Sequence, residues 1–155
     1  MALFLSTYEN KLDRKGRVSV PASFRAALPI SLFNGVVLFR SHKSPCLEGS
    51  GMDRMEMLSQ SIDSLDLFSD AQDELAATIF ADAHQLNLDA DGRITVPQHL
   101  LEHANITERV LFVGAGPVFR IWEPEAFKIY QNEARAKVKD QSLTLKISKL
   151  NGAAL

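Results

Sequence analysis

An α+β fold, with short β-strands arranged in two internal repeats and α-helices on their flanks, is what this sequence predicts. Three observations carry that reading. Leu12-Asp13-Arg14-Lys15-Gly16-Arg17-Val18-Ser19-Val20-Pro21 returns as Leu88-Asp89-Ala90-Asp91-Gly92-Arg93-Ile94-Thr95-Val96-Pro97, identical at six of ten positions and offset by 76 residues. Each copy is followed by a short helical run and then an apolar, β-branched run. Three longer segments carry apolar residues at helical spacing.

Each element follows from local chemistry. Asp-x-x-Gly-Arg is a turn, because Asp hydrogen-bonds its own backbone and Gly accepts a positive φ. Asp13, Gly16, Asp89, Gly92 and Arg93 are therefore expected to be structural turn residues. Val18-Ser19-Val20 and Ile94-Thr95-Val96 alternate as strands with one buried face. Pro21 and Pro97 suit the first position of a helix, where an N–H is dispensable, so short helices are expected over Ala22–Leu28, stopped by Pro29, and over Gln98–Ala104. Val36-Val37-Leu38-Phe39 and Val110-Leu111-Phe112-Val113 read as the next strands. Lys43–Gly51 is glycine-rich for a strand leading into a helix and leaves room for a bulge or a loose edge. Met52, Met55, Leu58, Ile62 and Leu65 mark a long helix. Ser69 is placed to cap a second one carrying Leu75, Ile79, Phe80 and Ala83. Gly114-Ala115-Gly116-Pro117 is a turn between strands. Pro124 opens a last helix with Phe127, Tyr130, Ala134 and Val138 on one face. Residues 140–155 lack a period, and Asn151–Leu155 are expected to fray. The repeats are expected over residues 7–54 and 83–126, with a helical connector over 55–82 and a C-terminal helix and tail over 127–155.

Composition bounds the function. The chain has 155 residues, 46% hydrophobic and 23% charged, with a formal charge of −2. That suits one globular domain or two small units sharing a core, and excludes collagen-like, disulfide-stapled and wholly disordered chains. The single cysteine, Cys46, fits a reducing compartment. The first residues carry no basic segment of a signal peptide, and no run reaches the about 18–20 apolar residues of a membrane span. A cytoplasmic protein with no membrane partner is expected. A charge near zero speaks against nucleic acid, but it averages three unlike segments. Residues 1–43 carry +5, residues 44–108 carry −11 and residues 109–155 carry +4.

The basic excess concentrates in Lys11-Leu12-Asp13-Arg14-Lys15-Gly16-Arg17, with four cations and one acid in seven residues. Such a turn is either a solvated hairpin or a DNA contact, with cations on phosphates and Arg on base edges in a groove that admits a two-stranded ribbon. Arg14, Lys15 and Arg17 are the candidate DNA-binding residues. Arg17 leaves a second role open, since an Arg four residues after Asp13 can pair with it across the turn, and Arg93 stands in the same relation to Asp89. Ala90 and Asp91 replace Arg14 and Lys15 in the second copy, so DNA binding is expected mainly from the first.

Other chemistry finds little support. Asn87-x-Asp89-x-Asp91-Gly92 imitates the start of a calcium loop, but Gln98 stands where the bidentate Glu belongs, and Lys11 and Lys15 occupy ligand positions of the first copy. His99 and His103 share a helix face without a third zinc ligand at motif spacing. No nucleophile elbow, phosphate loop or dinucleotide fingerprint occurs. No metal, cofactor, small-molecule substrate or catalysis is expected.

The paired motifs, with Tyr8-x-x-x-Leu12-Asp13-x-Lys15-Gly16-Arg17-Val18-Ser19-Val20-Pro21-Ala22-x-Phe24-Arg25 in the first, resemble the MraZ family, which carries two SpoVT-AbrB-type repeats in one chain. The resemblance covers about residues 1–140. It implies an AbrB-like barrel of short strands and a bacterial transcriptional regulator, associated with the nucleoid, at the head of the division and cell-wall gene cluster. It further implies ring-shaped homo-oligomers that present the first-repeat turns to direct repeats in double-stranded promoter DNA. The matching positions are Lys15 and Arg17, with Arg14 added by charge alone. The rival reading is an AbrB-type, antitoxin-like protein-interaction module with no promoter role of its own.

Overall fold

A computed structural model describes residues 2–142 and Leu145. The frayed end expected over Asn151–Leu155 lies outside the described residues. The chain divides into two compact units, one ending at Pro124 and the other beginning at Glu125.

The first unit is α+β, as the repeats predict. Its elements run β1 (Thr7–Lys11), β2 (Arg17–Ser19), α1 (Ala22–Ala27), β3 (Gly35–Arg40), β4 (Leu47–Ser50), α2 (Met52–Asp63), α3 (Asp70–Leu75) with a π-turn over Ala76–Phe80, β5 (His84–Asn87), β6 (Arg93–Thr95), α4 (Gln98–His103), β7 (Arg109–Gly114) and β8 (Phe119–Trp122). α5 begins at Pro124, the last residue of the first unit, and runs through the second to Asp140. Within it the rings of Phe127 and Tyr130, one turn apart, lie 6.1 Å from each other. Glu125 in its first turn and Lys137 and Lys139 in its last match the helix dipole.

The repeats interlock. Six antiparallel strands form a sheet in the order β1-β7-β8-β4-β3-β5, and β2 and β6 form a two-stranded ribbon. β1 of the first repeat pairs with β7 of the second, and β5 of the second with β3 of the first. The ribbon joins one strand from each copy, so that Val18 faces Ile94, its own counterpart. At the middle of the sheet β4 faces β8, with Glu48 opposite Arg120 and joined to it through Nε at 3.0 Å. Both pairings are those of a local two-fold axis relating the halves. The ribbon is tied to the sheet at β1, where Asn10 Nδ2 donates to the Ser19 carbonyl at 2.8 Å.

The core joins the inward faces of these strands to buried residues of α1 and α4. Phe4, Phe24, Phe112 and Phe119 are almost fully buried. Phe24 sits among the others at centroid distances of 5.3 Å to Phe4, 5.4 Å to Phe119 and 6.2 Å to Phe112. Phe4 is anchored by a backbone bridge to Gly116. The glycine-rich stretch before α2 is neither bulged nor loose. Leu47–Ser50 runs in unbroken register with β3, and Gly49 is there because a Cβ would collide with the Phe119 ring.

The connecting helices depart in detail from their expected spans. The first ends at Asp63, before Leu65. The second is capped by Ser69, whose Oγ accepts from Gln72 N–H at 3.2 Å, and its last turn is π-helical rather than α-helical. It stops at Phe80, short of Ala83. Asp82 just beyond is gripped by Arg40 at the end of β3, through the backbone N–H at 2.8 Å, Nη2 at 2.6 Å and Nε at 3.0 Å. Among the described residues no helix is long and apolar enough to cross a membrane.

Candidate nucleic-acid interface

The two repeated turns are built alike, atom for atom. Asp13 Oδ1 accepts the backbone N–H of Lys15 at 2.9 Å and of Arg17 at 2.8 Å, while Oδ2 takes Arg17 Nε at 2.6 Å. Asp89 repeats this with Asp91, Arg93 and Arg93 Nε at 2.9, 2.9 and 3.0 Å. Gly16 and Gly92 adopt φ of +81° and +75°, the left-handed region that a side chain strains. In both turns the backbone hydrogen bond from the Arg holds the Asp carboxyl below its ordinary range, and the guanidinium adds to that pull against partial desolvation.

Each turn is also clamped to the opposite repeat. Val20 N–H donates to the Gly92 carbonyl at 3.0 Å and Val96 N–H to the Gly16 carbonyl at 2.9 Å. The turns thus sit at the two ends of the β2–β6 ribbon. Val18 and Ile94 point into the core, while Ser19 and Thr95 are exposed on the outer face and Arg17 and Arg93 are half-buried there. Arg17 lies opposite Thr95 and Arg93 opposite Ser19, which makes the two arginines diagonal neighbours.

The sequence-selected cations occupy distinct places. Arg14 and Lys15 form the tip of the first turn and are exposed. Among the described residues neither side chain is held in an ion pair. Arg17 is held by Asp13 and cannot swing freely, so its guanidinium is presented in one orientation. Lys11, also exposed, ends β1 beside the same turn. The arrangement offers exposed, unpaired charge at the tip and an oriented guanidinium at the ribbon, which suits phosphate contact and base-edge contact respectively.

Arg25 belongs to the first-repeat motif, and the fold carries it to the second turn. Its Nε donates to the Val20 carbonyl at 3.1 Å, and its guanidinium crosses so close over Gly92 that a Cβ there would meet Cζ at 2.9 Å. Leu101 stands at the repeat-equivalent position, so the comparison of copies is the signal that marks Arg25 as special.

The other candidates are accounted for by packing. The carboxylates of the calcium-like loop turn onto Arg93, with Asp89 at 3.0 Å and Asp91 at 3.2 Å. His99 rests against His84 at a ring distance of 4.8 Å, and His84 Nδ1 lies 2.8 Å from the Asp82 carbonyl, which fixes the proton on that nitrogen. His103 is half-buried. Among the described residues no three His, Cys, Asp or Glu side chains are grouped to hold a metal. Burial pushes the Cys46 thiol up to about 11, so it is chemically quiet near neutral pH.

Comparison with known proteins finds relatives over most of the chain. A family model described as "MraZ protein, putative antitoxin-like" matches residues 3–76 and again residues 79–146. The chain is 44% identical over 146 residues to a transcriptional regulator MraZ of Rickettsia canadensis, covering 94% of this chain and 98% of that protein. It is 46% identical over 147 residues to a transcriptional regulator MraZ of Pelagibacter ubique, covering 95% of each.

Proposed function

From the premise that the chain belongs to the MraZ family, we propose that it is a sequence-specific DNA-binding transcriptional regulator. It acts in the cytoplasm, on the nucleoid, as a ring-shaped homo-oligomer that engages direct repeats in promoter DNA. It represses its own division and cell-wall operon by occluding that promoter. Arg14, Lys15 and Arg17 make the DNA contacts, while Asp13, Gly16, Asp89, Gly92 and Arg93 hold the turns. Catalysis plays no part in this reading.

The observation that carries it is the first turn, where exposed Arg14 and Lys15 flank an arginine oriented by a carboxylate on a ribbon narrow enough for a major groove. A few phosphate contacts bind weakly, and a ring that sets several turns on successive repeats raises affinity through effective concentration.

The test is binding to the DNA upstream of the protein's own gene, at two salt concentrations, for wild type and Arg17→Ala. Weaker binding by the variant is expected. Equal affinity, or binding indifferent to salt, contradicts the reading and favours the protein-interaction alternative.

A further inference from the structure

The ribbon is two-fold in its backbone and one-sided in its charge. The seven residues of the first turn hold four cations and one acid, and the corresponding seven of the second, Asn87–Arg93, hold one cation and two acids. Arg25 lying over Gly92 brings that end only to balance. The two repeated arginines have nearly equal side-chain exposure, 34% for Arg17 and 32% for Arg93, so burial does not distinguish them. Their partners do. Arg17 is held by Asp13, whereas Arg93 is held by Asp89 through Nε and by Asp91 through Nη2 at 3.2 Å. Asp91 occupies the place of Lys15, and its side chain is 74% exposed, so the anion stands where the first turn offers its cation.

We propose that Asp91 is a specificity-determining residue: it occupies Arg93 and repels phosphate at the second end of the ribbon, so that each protomer meets DNA through its first turn alone and reads its element in one fixed orientation. This rests on the DNA-binding reading above. A ribbon with two equal ends looks the same to DNA after half a turn and cannot tell an element from its reverse. Silencing one end removes that ambiguity, which a regulator working on elements repeated in one direction needs. The silencing is local. The Asp91 backbone N–H, which the turn requires, donates to Asp89 whatever side chain position 91 carries.

The test compares wild type with Ala90→Arg/Asp91→Lys and with the milder Asp91→Asn. Two DNA duplexes are used, each with two copies of the upstream element, in the same orientation or with one reversed. Wild type is expected to prefer one arrangement. The double variant should bind both several-fold more tightly and lose most of that preference. Its log affinity should fall with log salt more steeply by about 1.8 per engaged protomer, two added phosphate contacts at about 0.9 each. Asp91→Asn should lie between. If wild type binds but both variants match it in affinity, salt slope and orientation preference, the role of Asp91 is overturned while DNA binding stands. If wild type binds neither duplex, the DNA-binding reading itself fails and takes this one with it.

Discussion

The Asp13 carboxylate holds Arg17 at two points, its backbone N–H at 2.8 Å and its Nε at 2.6 Å. One acid therefore shapes the turn and aims the guanidinium at once. Asp13→Asn keeps a carbonyl acceptor for the backbone but loses the charge that grips Nε. The fold should survive with slightly lower thermal stability, while DNA affinity falls because the arginine is no longer fixed. Asp13→Ala should lose both functions and melt at lower temperature than Asp13→Asn. Parallel melting and DNA-binding titrations check the split.

Acid should loosen both turns together. The folded-state pKa values of Asp13 and Asp89 are depressed below the ordinary 3.8. Their contribution is therefore complete above that value and is lost as pH falls through the lower folded-state values. Melting temperature should drop below about pH 4 more steeply in wild type than in Asp13→Asn/Asp89→Asn. These carboxylates should leave stability level between pH 6 and 8.

Gly16→Ala places a Cβ at a φ of +81°, 3.1 Å from the Val96 carbonyl. The cost expected is about 1–2 kcal/mol from backbone strain. Because Gly16 also accepts from Val96, the β2–β6 ribbon should loosen first. Hydrogen exchange at the Val96 amide is the readout, and faster exchange than in wild type is expected.

Phe24, in the first repeat, is the hub of the aromatic core and packs against Phe112 and Phe119 of the second as well as against Phe4. Phe24→Ala should cost about 3–5 kcal/mol, as truncation of a buried aromatic does. Denaturant unfolding measures this, and Phe24→Leu should recover a large part of the loss.

Much of this architecture was legible in the residues. Asp-x-x-Gly-Arg marked both turns, Pro21 and Pro97 marked the helix starts, though as caps one residue before the first helical position, and Ser69 marked its cap, because each reflects chemistry confined to a few neighbouring atoms. Strand partnership was not legible. Alternation says which face of β1 is buried, yet nothing local says that β1 pairs with β7 of the other repeat. The glycines before α2 suggested looseness because the ring that needs Gly49, Phe119, lies 70 residues away. The π-turn at Ala76–Phe80 escaped because five residues cannot separate its period from that of an α-helix. In the first turn, charge marked Arg14 and Lys15, and the fold leaves both exposed. The second hold on Arg93 by Asp91 appears only once the turn is folded.

In the proposed function the first turn meets DNA through its own cations. The most direct measurement is the slope of log affinity against log salt for the upstream DNA, in wild type and in Arg14→Ala/Lys15→Ala. Removing two phosphate contacts should flatten the slope by about 1.8 per engaged protomer and weaken binding at every salt concentration. A variant with wild-type slope and wild-type affinity would contradict it.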